Sequence, residues 1–186
     1  MGICLGDRTA GTVRIYFRKA NQPEIKAGLP QKAQTVEEAL EDYRKTLLPD
    51  AKSYGKTIIA NGNYIGDIWC YCIDLNQNPN AMLSYCIFEK AYWSQGIATA
   101  AVALFLKEVR AKYEVNSIGA FTFADNPASI RVLEKNGFIV LEEFSEDGRD
   151  SKYLERMLKG ENQSEFSEGG TVCGISRLKK KCIVGP

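Results

Sequence analysis

One short segment of the chain has the residue types that bind an anion. Residues 91–101 read AYWSQGIATAA, so Gly96 and a run of small residues open an apolar helix. The first backbone N–H groups of a helix lack intrahelical acceptors, and the helix dipole adds partial positive charge there. Gly96 permits an unusual backbone conformation, and the small side chains leave room for a bulky anion. The segment predicts a phosphate site, and tight packing of a helix on a sheet is the other interpretation.

Two common phosphate loops do not account for this segment. No Gly-Lys-Ser/Thr follows Gly96, as a P-loop requires. The strand before it belongs to an antiparallel hairpin, which differs from the parallel strand of a Rossmann turn. The chain contains no histidine, which excludes Ser-His-Asp catalysis, Cys-His catalysis and a histidine base. Any chemistry must therefore use carboxylates, hydroxyls, thiols, amines or the backbone.

Hydrophobic periodicity predicts the elements that position this segment. Residues 54–60, 64–74 and 82–89 predict three antiparallel strands, with Asn61-Gly62 as the first hairpin turn. The helix at 96–113 is apolar over most of its first half and should be buried against these strands.

The remaining elements follow from capping and turn residues. The predicted ranges are a strand at 2–6, helices at 10–19 and 36–48 with a loop at 21–30 between them, a strand at 117–124 parallel to the preceding one, a helix from Asn126 to Gly137, and a hairpin of 138–144 and 152–158. These elements give an α+β fold with a mixed, mostly antiparallel central sheet flanked by helices.

Two motifs in this order resemble the GNAT superfamily of N-acetyltransferases. Trp93-Ser94-Gln95-Gly96-Ile97-Ala98 resembles the family's acyl-CoA loop, Arg/Gln-x-x-Gly-x-Gly/Ala, except that Trp stands at its first position. Asn126-Pro127-Ala128-Ser129, followed by VLEKNGF at 132–138, resembles the branch of ribosomal-protein N-terminal alanine acetyltransferases. The resemblance covers about residues 3–158 and implies the acyl-CoA N-acyltransferase fold.

The resemblance also implies acetyl-CoA as co-substrate and no metal. The residues implied to bind it belong to the loop and helix start, to the preceding strand, and to the start of the last helix. They are Trp93, Ser94, Gln95, Gly96, Ile97, Ala98 and Thr99; the backbones of Cys86, Ile87 and Phe88; and Asn126 and Ser129. A helix N-cap is an additional role for Asn126.

The implied reaction is attack of a neutral primary amine on the thioester, which needs a proton acceptor and a proton donor. Some relatives place a donor Tyr seven residues after the Asn, where this chain has Leu133. Ser129 is the hypothesised donor instead, and a serine that bonds its own helix backbone is the alternative.

The base and the acceptor pocket are assigned from strand positions. Alternation places Glu89 on the same face as Tyr85 and Ile87, which makes Glu89 a candidate base; a solvated carboxylate at a strand end is the alternative. Tyr85 and Trp69 are candidates for the acceptor pocket, and core aromatics are the alternative. We expect Cys86 to pack rather than to carry an acyl group, because no histidine activates it.

Composition limits the partners and the compartment. The net charge of +1 argues against nucleic acid or an anionic membrane surface as a partner. No apolar run approaches the roughly 20 residues of a membrane span. The opening residues lack the pattern of a signal peptide, so we expect a cytoplasmic protein. It would be a monomer or homodimer, acting on a protein N-terminus or a small-molecule amine.

The ends of the chain and its cysteines complete the predictions. Residues 1–159 should form the acetyltransferase domain, and residues 160–186 a flexible polar and basic tail. The six cysteines include no Cys-x-x-Cys pair, and Cys70 and Cys72 should share one face of a strand, as a metal or redox pair or as packing residues. Two further functions stay open: a catalytically degenerate CoA sensor, and a binder of another phosphate ligand.

Overall fold

The computed structural model describes residues 2–29, 33–146 and 148–158. These residues form one seven-stranded sheet with helices on both faces. In chain order the elements are β1 (Ile3–Asp7), α1 (Ala10–Ala20), α2 (Pro23–Gly28), α3 (Val36–Lys45), β2 (Tyr54–Ala60), β3 (Asn63–Asp74), β4 (Asn80–Ile87), a single 3-10 turn (Lys90–Tyr92), α4 (Ile97–Lys112), β5 (Ser117–Phe123), α5 (Pro127–Lys135), β6 (Ile139–Glu146) and β7 (Arg149–Met157). The predicted tail at 160–186 lies outside the described residues.

The sheet has the order β1-β2-β3-β4-β5-β7-β6, with antiparallel neighbours except for β4 and β5. Parallel β4 and β5 pair only where Asn80–Met82 meets Ser117–Gly119. Beyond these three residues the two strands separate, which opens a split in the middle of the sheet. The predicted mixed, mostly antiparallel sheet is confirmed.

A hydrophobic core covers each face of the sheet. On one face, α4 buries Ile97, Val102 and Phe105 against the strands, and α5 adds Leu133. On the other face, α1 and α2 pack Tyr16 and Ile25 against a cluster that contains Trp69, Tyr71, Met82, Cys86 and Phe88. The apolar first half of α4 is therefore buried, as its sequence predicts.

The predicted strands and four of the helices are confirmed, and the loop expected at 21–30 is wrong. That segment contains α2, which begins with Pro23 at its first position. Proline is suited to this position because its missing N–H would have no intrahelical acceptor. The single buried side chain of α2, Ile25, anchors this short helix to the sheet.

The expectation that Cys70 and Cys72 share a face is also wrong. The register of β3 against β4 shifts between Tyr71 and Asp74, and Cys72 has a positive φ of 49°. This bulge reverses the alternation. Cys70 consequently packs in the α4-side core, whereas Cys72 lies against the α1-side core.

None of the described helices has both the length and the apolar character needed to span a bilayer.

Candidate active site

A cleft of about 1000 Å³ runs through the sheet at the split between β4 and β5. Its lining comes from both faces, so we name its two parts by the helix that borders each. The α4 half is lined by Tyr85, Ile87, Trp93, Ser94, Gly96, Ile97, Ala98, Thr99, Asn126, Ser129, Arg131 and Lys135. The α2 half is lined by Glu24, Ile25, Leu29, Tyr71, Ser84, Cys86, Phe121, Phe144 and Arg149.

The start of α4 has the exposed backbone that the sequence predicts. Gly96 is the N-cap in the left-handed region, with φ of 76°, and no side chain caps the helix. By contrast, the side chains of Thr9, Thr35 and Asn126 cap α1, α3 and α5. The first amides of α4 therefore lack both intrahelical and side-chain acceptors, which is the arrangement that binds phosphate groups.

Side chains of the preceding loop hold this helix start in place. The Gln95 side-chain amide donates to the carbonyl of Ala91 at 2.5 Å, and the Trp93 indole donates to the carbonyl of Ile87 at 2.8 Å. Ser94 has a positive φ of 59°. Trp93 thus ties the loop to the end of β4, and the Gln95 side-chain amide ties it to Ala91.

Of the three residues at and just after the end of β4 that were expected to present their backbones, two line the cleft. Cys86 and Ile87 are part of its lining, whereas the Phe88 N–H donates to the carbonyl of Ile65 on β3 at 3.0 Å. Backbone groups of successive strand residues point to opposite edges. Ile87 and Tyr85 therefore face the split, and Cys86 and Phe88 face β3, which corrects the expectation for those two backbones.

Two hydroxyl groups meet inside the cleft. The Tyr85 and Ser129 oxygens are 3.0 Å apart, and the Tyr85 hydroxyl is also 3.3 Å from the Ser129 carbonyl oxygen. Ser129 is positioned by Asn126, whose side-chain oxygen accepts the Ser129 N–H at 3.1 Å. Burial raises the pKa of Tyr85 to about 12, so this phenol stays protonated at neutral pH. Tyr85 is therefore a partner of Ser129 in the α4 half rather than a wall of the α2 half.

Glu89 is not among the residues that line the cleft. Strand β4 ends at Ile87, so the alternation that placed Glu89 beside Tyr85 stops before it reaches this residue. Its carboxylate forms an ion pair with Lys19 of α1 at 2.6 Å. The structure thus keeps the candidate base apart from Ser129 and Tyr85.

Trp69 is likewise absent from the cleft, and Tyr71 occupies the corresponding place in its wall. Trp69 packs edge-on against Tyr16, with ring centroids 5.8 Å apart, and lines a small separate cavity beside Arg8. Tyr71 points to the same face two residues later and lies nearer the split. Periodicity identifies the face of β3, but only the three-dimensional fold shows which aromatic reaches the opening.

The α2 half contains a residue that sequence reasoning missed. Arg149 donates to the carbonyl of Ala27 at 2.8 Å and to both carboxylate oxygens of Asp125, at 3.0 and 3.2 Å. Its guanidinium also lies 3.4 Å from the centroid of the Phe123 ring. Arg149 therefore joins the end of α2 to β5 and β7, and no local motif signals this role.

The sequence analysis also missed two cationic residues of α5 that line the cleft, although their spacing along the helix could have identified them. Arg131 and Lys135 are four residues apart, which places both on one side of the helix. Both line the α4 half, on the helix whose N-cap is Asn126. Their charge adds to that of the α4 start, which strengthens the α4 half as an anion site.

Cys86 has the properties of a packing residue. Burial, with a further contribution from the Asp67 carboxylate, raises the pKa of its thiol to about 12. A thiol with this pKa carries little nucleophilic thiolate at neutral pH. Among the described residues there is also no cluster of His, Cys, Asp and Glu that could hold a metal ion.

Comparison with known proteins gives a family and a fold. The family model described as the acetyltransferase (GNAT) domain matches residues 9–139. No curated protein matches the chain.

Solved structures share the architecture at low sequence identity. Aminoglycoside acetyltransferase AAC(6')-Ib in complex with coenzyme A is 17% identical, with a TM-score of 0.71 over 84% of this chain and 95% of that one. Spermidine N-acetyltransferase from Vibrio cholerae, in complex with CoA and spermine, is 18% identical, with a TM-score of 0.74 over 83% and 95%. Mycobacterium smegmatis RimJ in complex with CoA-disulfide is 18% identical, with a TM-score of 0.73 over 87% and 85%.

Proposed function

Because the chain belongs to the GNAT acetyltransferase family, we propose that it transfers the acetyl group of acetyl-CoA to a primary amine. The observation that carries this proposal is the cleft through the sheet. It joins an uncapped helix start, a separated pair of strands and a pair of hydroxyl groups in one continuous space. An acyl donor entering from one face can meet an acceptor entering from the other.

The α4 half fits the donor. The amides from Ile97 to Thr99 would hold the pyrophosphate, and Arg131 and Lys135 add positive charge for the phosphates. The split-facing backbone of β4 at Tyr85 and Ile87 would hydrogen-bond the amide groups of the pantetheine arm. Backbone recognition of this kind explains why the start of α4 has small side chains.

Ser129 is the group best placed to assist departure of the sulfur. When the amine nitrogen attacks the thioester carbon, a C–N bond forms, the C–S bond breaks and the electron pair stays on sulfur. If Tyr85 donates its hydrogen to the Ser129 oxygen, the Ser129 hydrogen is left to point into the cleft and to hydrogen-bond that sulfur. The amine loses one proton and the sulfur gains one, so the products are an amide and the free thiol of CoA.

Removal of the proton from the amine does not require a carboxylate in the cleft. Glu89 pairs with Lys19 outside it, and the phenol of Tyr85 holds its own proton at neutral pH. We infer that water in the α2 half takes the proton. Activity should then rise with pH as the neutral fraction of the amine increases.

Two measurements test the proposed function. Calorimetry with acetyl-CoA should show binding, and a thiol-release assay should show turnover on at least one primary amine. Binding of acetyl-CoA without turnover on any amine would favour the CoA sensor. Equal affinity for ATP and CoA would instead favour a general phosphate binder.

A further inference from the structure

The wall of the α2 half is predominantly apolar and aromatic. Phe121 and Phe144 pack edge-to-face with ring centroids 5.8 Å apart, and Tyr71 and Ile25 are each 6% exposed. Such a wall favours an acceptor with an apolar body, because contact removes apolar surface from water on both partners.

The charges of the cleft do not suit an acceptor with several amino groups. Among the described residues that line it, Glu24 is the one acid, against the cations Arg131, Lys135 and Arg149. The Glu24 carboxylate is paired with Lys90 at 2.6 Å, and Arg149 is paired with Asp125. A polyamine needs carboxylates to balance each buried ammonium group, and the α2 half supplies none that is unpaired.

Helix α2 also restricts the size of the acceptor. The exposed Glu24–Lys90 ion pair links it to the 3-10 turn after β4, and the hydrogen bond from Arg149 to Ala27 links it to β7. Because β4 and β5 separate between these two attachments, α2 lies across the split on this face of the sheet. The cleft stays open to solvent, so α2 narrows the approach from this face without closing it. A narrowed approach favours a small molecule over a polypeptide, which must leave the site in an extended form.

Two hydroxyl groups beside α2 can orient the amino group of the acceptor. Tyr71 and Ser84 lie on the same face of β3 and β4 and line the α2 half, and neither side chain hydrogen-bonds to another described residue. Burial raises the pKa of Tyr71, so its phenol remains neutral. A neutral hydroxyl can accept an N–H of the amine while leaving the nitrogen lone pair directed at the thioester.

On the basis of the proposed acetyl transfer, we propose that the acceptor is a small monoamine with an aromatic or similarly bulky apolar body. Its body would lie against Phe121, Phe144 and Ile25, and its amino group would lie near Tyr71 and Ser84. The paired charges of the α2 half disfavour polyamines and aminoglycosides, and the approach narrowed by α2 disfavours peptides.

A substrate panel tests this assignment directly. The full chain, with saturating acetyl-CoA, is assayed by thiol release with 2-phenylethylamine, spermidine, kanamycin and a peptide that begins with alanine. We expect kcat/KM for 2-phenylethylamine to exceed each of the others at least tenfold. A higher value for spermidine, kanamycin or the peptide would overturn the substrate assignment and leave acetyl transfer intact. If no amine is acetylated, both the proposed function and this assignment fail.

Phe144→Ala locates the apolar body within the cleft. Phe144 lies on the edge strand β6 and is partly exposed, so its truncation should leave the fold intact. We expect KM for 2-phenylethylamine to rise about tenfold and the Kd of CoA to stay unchanged. Ile139→Ala is the matched control, because it truncates an apolar side chain on the same strand that is 64% exposed and outside the cleft.

A KM within twofold of the parent value in folded Phe144→Ala would overturn the assignment. Folding is checked by the thermal midpoint of each variant. If Phe144→Ala does not fold, Phe144→Leu keeps an apolar side chain while removing the ring. KM should then rise for 2-phenylethylamine but not for 3-methylbutylamine, and equal effects on both amines would overturn the aromatic contact.

Discussion

The α4 half of the cleft comes mainly from two chain segments, 83–99 and 126–135, with Ala120 of β5. The α2 half gathers side chains from α2, β3, β4, β5, β6 and β7. The first can be recognised in a local motif because its geometry depends on a glycine and a helix start. The second depends on strand register and on contacts between residues as distant as Ala27 and Arg149. Binding of a common donor therefore has a sequence signature, and selection of an acceptor does not.

Gly96→Asp is the change that should affect the α4 half most. A carboxylate at the N-cap would occupy the anion site and repel phosphate groups, so we expect the affinity for CoA to fall at least about 100-fold, or 2.7 kcal/mol. Calorimetry with CoA measures this effect. Normal CoA binding by this variant would show that the small residues serve only for packing.

Gly62→Asp is the matched control for the backbone conformation. Gly62 has φ of 78° against 76° for Gly96, and an added Cβ meets no atom within 4 Å at either position. The two variants therefore carry the same left-handed strain, but Gly62 lies in the β2–β3 turn outside the cleft. We expect Gly62→Asp to bind CoA like the parent chain, with a similar loss of thermal stability in both variants.

Ser129→Ala tests the place where the two halves meet. Loss of a hydrogen bond to the developing negative charge on sulfur should lower kcat about 10- to 100-fold, with little change in the Kd of acetyl-CoA. The measurement is turnover at saturating amine and acetyl-CoA. An unchanged kcat would leave Ser129 with only its structural place in the first turn of α5.

Tyr85→Phe should have a smaller effect, because in the proposed mechanism Tyr85 acts on the sulfur only through Ser129. We expect kcat to fall about 2- to 10-fold, as for the loss of a neutral hydrogen bond. The pKa of Tyr85 is raised to about 12, so its charge does not change between pH 6 and 10 in the parent chain. The variant should therefore keep the same pH–rate profile, and a shifted profile would make Tyr85 the titrating group.

Glu89→Gln should have the smallest effect of the series. Its carboxylate pairs with Lys19 outside the cleft and is 38% exposed, so kcat should change less than twofold. The pair is a surface ion pair, and its loss should lower stability only slightly. A tenfold loss of kcat with normal CoA binding would restore Glu89 as the base.

Local sequence signals were sufficient for most of the fold. Alternating residues set the strands, and Gly96, Asn126 and Gly137 marked the ends of helices where the structure has them. The same signals failed at two places, one where a short helix interrupts a loop and one where an extra residue interrupts a strand. Helix α2 is too short for hydrophobic periodicity to identify, and the bulge at Cys72 reverses a strand that reads as regular.

The candidate site likewise has features that local sequence predicts and features that depend on distant contacts. The α4 start and the meeting of Asn126 with Ser129 follow from residues that are close in sequence. The exclusion of Trp69 and Glu89 from the cleft depends instead on where β3 approaches the split and where β4 ends. Packing among elements that are distant in sequence determines which strand residues reach the cleft. The residue pattern of one strand does not carry this information.

The split between β4 and β5 also exposes unpaired strand edges, which makes the sheet prone to aggregation. Beyond Met82 and Gly119, β4 and β5 are edge strands in the interior of the sheet rather than at its margin. An unpaired edge is a template for foreign strands and hence for aggregation. A pantetheine arm between them would act as a short substitute strand. Acetyl-CoA should therefore protect the chain from aggregating on heating, in addition to stabilising the folded state by mass action.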